Sequence, residues 1–106
     1  MLLMQHDVHD NPAPRTRRAF PFIAVLQADL ANEGRSRIIA PMIPREAIAG
    51  AAGKLLPVVR HADEEFHLAL ELMTSLPVSA LRNPVGSIAD HRHDITRALD
   101  WLFTGV

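Results

Sequence analysis

Six histidines and no cysteine among 106 residues are the first candidates for chemistry. A zinc site needs several such donors converging on one point. His91 and His93 stand two apart, a spacing that turns side chains away from each other on a helix. His6 and His9 lie near the amino end, and His61 and His67 fall at opposite ends of one stretch of the chain. The spacing therefore predicts no metal centre. Without Cys there is neither a zinc–thiolate site nor a disulfide framework. For acid–base work, Arg45-Glu46 or His61 with Asp63 could serve as a pair, since imidazole titrates near neutrality. Neither pair comes with a nucleophile, a metal triad or a glycine-rich phosphate loop. The expectation is a protein that is not an enzyme and holds no cofactor.

Two other segments look built for contact. Arg15-Thr16-Arg17-Arg18 is a basic run just past Asn11-Pro12-Ala13-Pro14. It reads either as an ordinary solvated hairpin tip or as a docking patch for an acidic partner. The chain then ends in Asp100-Trp101-Leu102-Phe103-Thr104-Gly105-Val106. Chain ends usually fray. This one is apolar and carries the single Trp, so it is expected either to be buried at an interface or to be offered to a partner.

Composition bounds what those segments can serve. Eleven Lys plus Arg against twelve Asp plus Glu leave a formal charge of −1, without the basic excess of a direct nucleic-acid binder. Hydrophobic residues make up 48%, enough for one small core, and one domain spanning 1–106 is expected. No apolar run approaches the roughly 20 residues of a membrane helix. Met1-Leu2-Leu3-Met4 is too short for a signal-peptide core, and His6, Asp7 and Asp10 follow it. A cytoplasmic protein is expected, starting at Met1 or Met4.

The elements that must position these residues are mostly strands. Leu2 to His9 reads as a first strand, and Phe20 to Gln27 as a buried one. Asn32-Glu33-Gly34 is a turn, and Arg37 to Ala40 a strand ended by Pro41. Pro44 to Ala49 makes a helical turn with Pro at its first position, which Gly50 and Gly53 keep short. Leu56-Pro57-Val58-Val59 is a short extended piece. Glu65 to Leu72 alternates polar and apolar residues and reads as a half-buried strand. Leu76-Pro77-Val78-Ser79 is a break and then extended, and Asn83-Pro84-Val85-Gly86 a turn. Ser87 to Phe103 is the one convincing helix. Ser87 and Asp90 give a capping-box-like start, and Ile88, Ile95, Leu99 and Leu102 share a face with Ala98 beside them. Strands over about 2–82, a helix over about 87–103 and a tail at 104–106 predict a small, mainly β barrel-like domain with one C-terminal helix.

Several of these segments resemble, in the same order, those of the CcdB toxin family. Phe22 to Leu30 is similar to its second strand, and Arg37-Ile38-Ile39-Ala40-Pro41-Met42 to its next one. Leu56-Pro57-Val58-Val59, Leu76-Pro77-Val78-Ser79, Pro84-Val85-Gly86-Ser87, Asp94-Ile95, Ala98-Leu99-Asp100 and Leu102 to Val106 follow the family's later segments. The likeness runs from about Asp7 to Val106, with Asn11 to Arg18 its poorest part. It implies an SH3-like barrel of the CcdB type with a C-terminal helix, assembled as a homodimer. It also implies a toxin of a type II toxin–antitoxin system that binds the DNA gyrase A subunit and traps the enzyme on cleaved DNA. A CcdA-like antitoxin with a disordered acidic tail would strip it off, and the pair together would repress their own operon. Carried over residue by residue, the gyrase contacts fall on Leu30, Ala31, Asp100, Phe103, Thr104, Gly105 and Val106. The basic loop, by its charge rather than by the likeness, is expected to dock the antitoxin's acidic segment through Arg15, Arg17 and Arg18. Thr104 stands where the family's plasmid toxin has Trp, and Asp100 where it has Asn. Two alternatives stand beside this reading: a CcdB homologue that binds antitoxin without poisoning gyrase, and a ribonuclease like the MazF-type toxins, whose barrel is similar.

Overall fold

The computed structural model describes residues 4–29, 34–48 and 56–105. Among these residues seven strands run in chain order as β1 Asp7–Asp10, β2 Phe22–Val25, β3 Ser36–Pro44, β4 Val58–His61, β5 Glu64–Leu68, β6 Thr74–Pro77 and β7 Gly86–Ser87. One α-helix among the described residues, α1 at Arg92–Thr104, closes the chain. The sheet order is β4-β5-β3-β2-β1-β7, with β6 also paired to β3, and every pairing is antiparallel.

The long β3 is what curls this sheet. Its first half, Ser36 to Ile39, pairs with β6, and its last part, Met42 to Pro44, pairs with β5. Pro41 was expected to end the strand, yet β3 passes through it with Pro41 opposite Ile23. The hydrogen-bond parity explains this. Leu26 N–H donates to the Ile38 carbonyl at 2.9 Å, so Ala40 and Met42 also face β2 and Pro41 faces the other way. There it falls in the gap between the two partners, where no ladder acceptor awaits its missing N–H.

The curled sheet nearly closes into a barrel where its two ends, β4 and β7, meet. A Cβ placed on Gly86 would lie 2.6 Å from the His61 ring, so only glycine lets the strands approach. Arg60 N–H donates to His91 Nε2 at 3.1 Å and ties the same edge to the turn before α1. Phe22 meets His61 edge-on at 4.6 Å and Phe66 at 5.6 Å, filling the barrel beneath that seam.

Two apolar clusters hold the sheet from both faces. Val8, Ala24, Met42, Phe66, Leu68 and Ile88 fill the inside, and α1 joins them with Ile95 and Ala98. Ile23, Val25, Ile39 and Leu81 form a smaller cluster on the other face, with Leu76 and Val78 against it. This double burial is why Phe22 to Leu26 is a continuous apolar run rather than an alternating one.

Other boundaries shift for local reasons. β1 starts at Asp7 because His6 has a positive φ of 69° while its N–H bonds the Val25 carbonyl. Expected alternation over Glu65 to Leu72 fails. His67 and Ala69 are buried like their neighbours, and Leu70–Leu72 is a 3-10 turn. His67 Nδ1 lies 3.1 Å from the Leu56 carbonyl, which satisfies the polar atom on what was read as the open face. The predicted start of the helix is replaced by β7 and a 3-10 turn at Ala89–His91. Sheet bonds win there, since Ile88 N–H donates to the His6 carbonyl at 2.9 Å. Ser87 Oγ still caps locally by accepting from Ala89 N–H at 3.1 Å. Leu76-Pro77 ends β6, and Val78–Ala80 is a 3-10 turn rather than an extended piece. Arg45–Ala47 is the short turn expected after Pro44. The turn at Asn32-Glu33, the tail of that helical turn at Ala49 and the glycines at 50 and 53 lie outside the described residues.

Candidate functional site

The end of α1 is the most exposed apolar feature among the described residues. Helical spacing turns Ile95, Ala98, Leu99 and Leu102 toward the barrel, leaving His93, Arg97, Asp100 and Thr104 along the outer face. Phe103 flanks that outer face and is 70% exposed. Trp101 is two residues away and therefore on the opposite flank. Gly105 ends the helix in the left-handed region, at φ 75°, with its N–H on the Trp101 carbonyl at 3.0 Å. This is the glycine C-cap that side-chain-bearing residues adopt with strain. Thr104 Oγ1 donates back to the Asp100 carbonyl at 2.6 Å, so its hydroxyl is turned along the helix.

Leu30, Ala31 and Val106 lie outside the described residues, but the segment leading to Leu30 is held beside α1. Gln5 N–H donates to Asp29 Oδ1 at 2.7 Å, and Gln5 Nε2 to the Leu26 carbonyl at 3.0 Å. Gln5 and His6 then share an open cleft with Arg92, His93, Thr96, Arg97 and Asp100. Of the residues carried over for gyrase contact, Asp100, Phe103, Thr104 and Gly105 therefore share the end of α1, and Asp29, the last described residue before Leu30, is tied to Gln5 at the cleft beside that helix.

Arg15, Arg17 and Arg18 are all exposed in the β1–β2 connection, as a basic loop should be. The connection is not a loose tip. Asn11, almost fully buried, uses all of its hydrogen-bonding groups to fold it. Its Nδ2 donates to Thr16 Oγ1 and to the Phe20 carbonyl, and its Oδ1 accepts from Ala13 N–H. Its own N–H bonds the Pro21 carbonyl, and its carbonyl accepts Arg17 Nε at 3.0 Å. Sequence reasoning gave Asn11 no role beyond the break. The signal was Asn immediately before Pro, which favours a side-chain-closed turn.

The pairs weighed for acid–base chemistry are engaged elsewhere. Arg45 forms an ion pair with Glu65 at 2.8 Å, and His61 packs on Phe22 and Gly86. Among the described residues no three His, Asp or Glu converge on a possible metal position.

Two buried histidines give the fold a pH dependence. Burial lowers the His6 pKa from 6.5, and Arg92 lowers it further against an opposing Asp29. Burial also lowers His9, against the Arg82 backbone, Asp7 and Asp10. His9 follows the inward-facing Val8, so it points to the other face with its paired neighbour Ile23. Neither ring nitrogen of His9 has a partner at hydrogen-bond geometry. Below 6.5 the unfolded chain takes up protons that the folded chain refuses, so folded stability is complete above that pH and is lost as pH falls toward the folded values. Each group contributes a slope of at most about 1.4 kcal/mol per pH unit. Urea unfolding at about pH 7.5 and about pH 5.5 should show a lower midpoint at the acid end, and His9→Leu should flatten the difference. An unchanged difference in that variant would remove His9 from this account.

The described residues form a small, nearly closed antiparallel barrel of the SH3-like class, with one helix that ends in an exposed apolar turn. The family model described as CcdB protein matches residues 5–105, nearly the whole chain. The chain belongs to the CcdB family, and it is a toxin–antitoxin toxin of the CcdB type. Among the described residues no helix is long and apolar enough to cross a membrane.

Proposed function

We propose that this chain poisons DNA gyrase: it binds the A subunit through the end of α1 and traps the gyrase–DNA cleavage complex. In this reading it acts as a cytoplasmic homodimer, without cofactor and without making or breaking bonds itself. A CcdA-like antitoxin neutralises it through an acidic segment docking at Arg15, Arg17 and Arg18, and operator DNA is met only through that complex. The observation that supports the reading best is Phe103, an aromatic ring 70% exposed at the end of α1, followed by a glycine cap. An apolar ring left in water at a helix end is the kind of anchor that dominates protein interfaces. Among the described residues beyond its chain neighbours, none comes within 4 Å of where a Cβ on Gly105 would stand, so the backbone there is open to close approach.

One observation favours the second reading, a homologue that binds antitoxin without poisoning. Thr104 presents no large surface, and its hydroxyl is already bonded to the Asp100 carbonyl. A Trp there would add a flat contact able to stack on an arginine. The test is gyrase-dependent DNA cleavage with the purified protein and with Thr104→Trp. The variant is expected to trap gyrase about tenfold more tightly, in line with a modest interface gain. If neither protein traps gyrase or slows supercoiling, the antitoxin-only reading takes over.

The dimer is tested separately. Closed twofold pairing is the commonest assembly, and it would let two helix ends form one surface. Light scattering should give about twice the 11.7 kDa chain mass. A strict monomer would remove the paired surface while leaving a single helix end to be tested.

A further inference from the structure

The basic loop does not stand alone. Between it and the chain that follows β6 lies a cleft of about 300 Å³, lined by Asp10, Asn11, Pro12, Arg17, Pro21, Ala80, Arg82 and Asn83. Arg17 and Arg82, far apart in sequence, both line this cleft. Arg17 is held by its Nε bond to the Asn11 carbonyl. The segment that carries Arg82 is also fixed, because Leu81 belongs to the outer apolar cluster and its N–H bonds the Val78 carbonyl at 3.0 Å. Pro12, Pro21 and Ala80 supply apolar surface to the same lining.

We propose that this cleft is the anchor point for one carboxylate side chain of an acidic, partly apolar peptide segment, gripped between Arg17 and Arg82 and fixed in direction by Asn83. The proposal rests on the antitoxin reading above and adds to it a position and a residue, Arg82, that the basic loop does not contain. Guanidinium groups bind carboxylates through paired, charge-assisted hydrogen bonds, and two of them on one rigid cleft discriminate strongly for an acid. Asp10 is the one acidic side chain on the lining. Its repulsion restricts the cleft to a single acid group, and the flanking prolines favour an apolar neighbour beside it. Nucleic acid fits less well. A backbone of repeated phosphates needs an extended basic face, and this chain has a net charge of −1.

The test uses the intact protein labelled with nitrogen-15 and a short acetylated peptide alternating Glu and Leu. The peptide should shift the amides of Asn11, Arg17, Ala80 and Asn83. Its Gln–Leu counterpart should not. Arg82→Ala should weaken binding about tenfold, as loss of one charge-assisted contact does. Arg82→Lys should lose less, and Asp10→Asn should bind more tightly. Both positions are exposed, so each of the three variants is expected to fold, and an unchanged amide spectrum elsewhere checks this. Absence of peptide binding, equal binding by the Gln peptide, or unchanged affinity in Arg82→Ala would overturn the proposal. So would the same shifts from inorganic phosphate or from a DNA duplex at lower concentration than the peptide. The underlying reading fails differently. If the cleft binds the peptide but replacing Arg15, Arg17 and Arg18 together leaves association with the cognate antitoxin unchanged, the cleft stands without it. If that triple change abolishes antitoxin binding while Arg82→Ala leaves it intact, the reading stands without the cleft.

Discussion

Phe103→Ala should cut gyrase trapping about thirtyfold, the effect of losing roughly 2 kcal/mol at a buried interface anchor. The same change should alter folding stability by no more than about 0.5 kcal/mol, because an exposed ring contributes little to the fold. Among the described residues Phe103 is the most exposed large apolar side chain, so the two effects separate cleanly there. Its neighbour Leu102 is partly buried against the core. Leu102→Ala should therefore show the opposite balance, with a clear loss of stability. The measurements are gyrase-dependent DNA cleavage and urea unfolding on the same preparations. Full trapping by a well-folded Phe103→Ala protein would move the contact away from the end of α1.

Phe66→Ala carries the largest expected loss of stability, about 3–5 kcal/mol. Phe66 is among the largest fully buried side chains, and its ring stands edge-on to Phe22 at 5.6 Å. Truncation removes apolar contact and leaves a cavity under the seam of the barrel. It also removes the support on which Phe22 and then His61 rest, so the edge between β4 and β7 should loosen with it. A domain of this size is stabilised by only about 5–15 kcal/mol in total, so the thermal midpoint should fall by about 15 °C or more. Thermal unfolding followed by circular dichroism gives the number, and hydrogen exchange at Arg60 and Val85 reports the seam. Arg60 N–H is bonded to His91 and Val85 N–H to the Val8 carbonyl at 2.7 Å. A loss below about 1 kcal/mol would mean that Phe66 does not fill the barrel.

The sequence by itself determined the local pieces and their nature. The apolar run from Phe22 to Leu26 had to be a strand buried on both sides. The period of Ile95, Leu99 and Leu102 had to be a helix with one face on a core. The collinear segments from about Asp7 onward were enough to point to the CcdB family, which the match over residues 5–105 shows. Most expectations for these pieces hold because period and composition act over a few residues. Tertiary structure decided what depends on a partner far along the chain. Pro41 continues β3 only because β5 and β6 leave a gap opposite it. His67 and Ala69 are buried only because the chain covers both faces of β5, and alternation cannot report what lies across a sheet. The start of α1 yields to β7 because the His6 carbonyl, some eighty residues earlier, captures the Ile88 N–H. The closeness of Gly86 to His61, the pairing of Arg17 with Arg82 on one cleft and the burial of His9 have the same origin. Each joins residues separated by tens of positions, and a single sequence carries no spacing that links them, because barrel closure fixes those distances only after the sheet has curled.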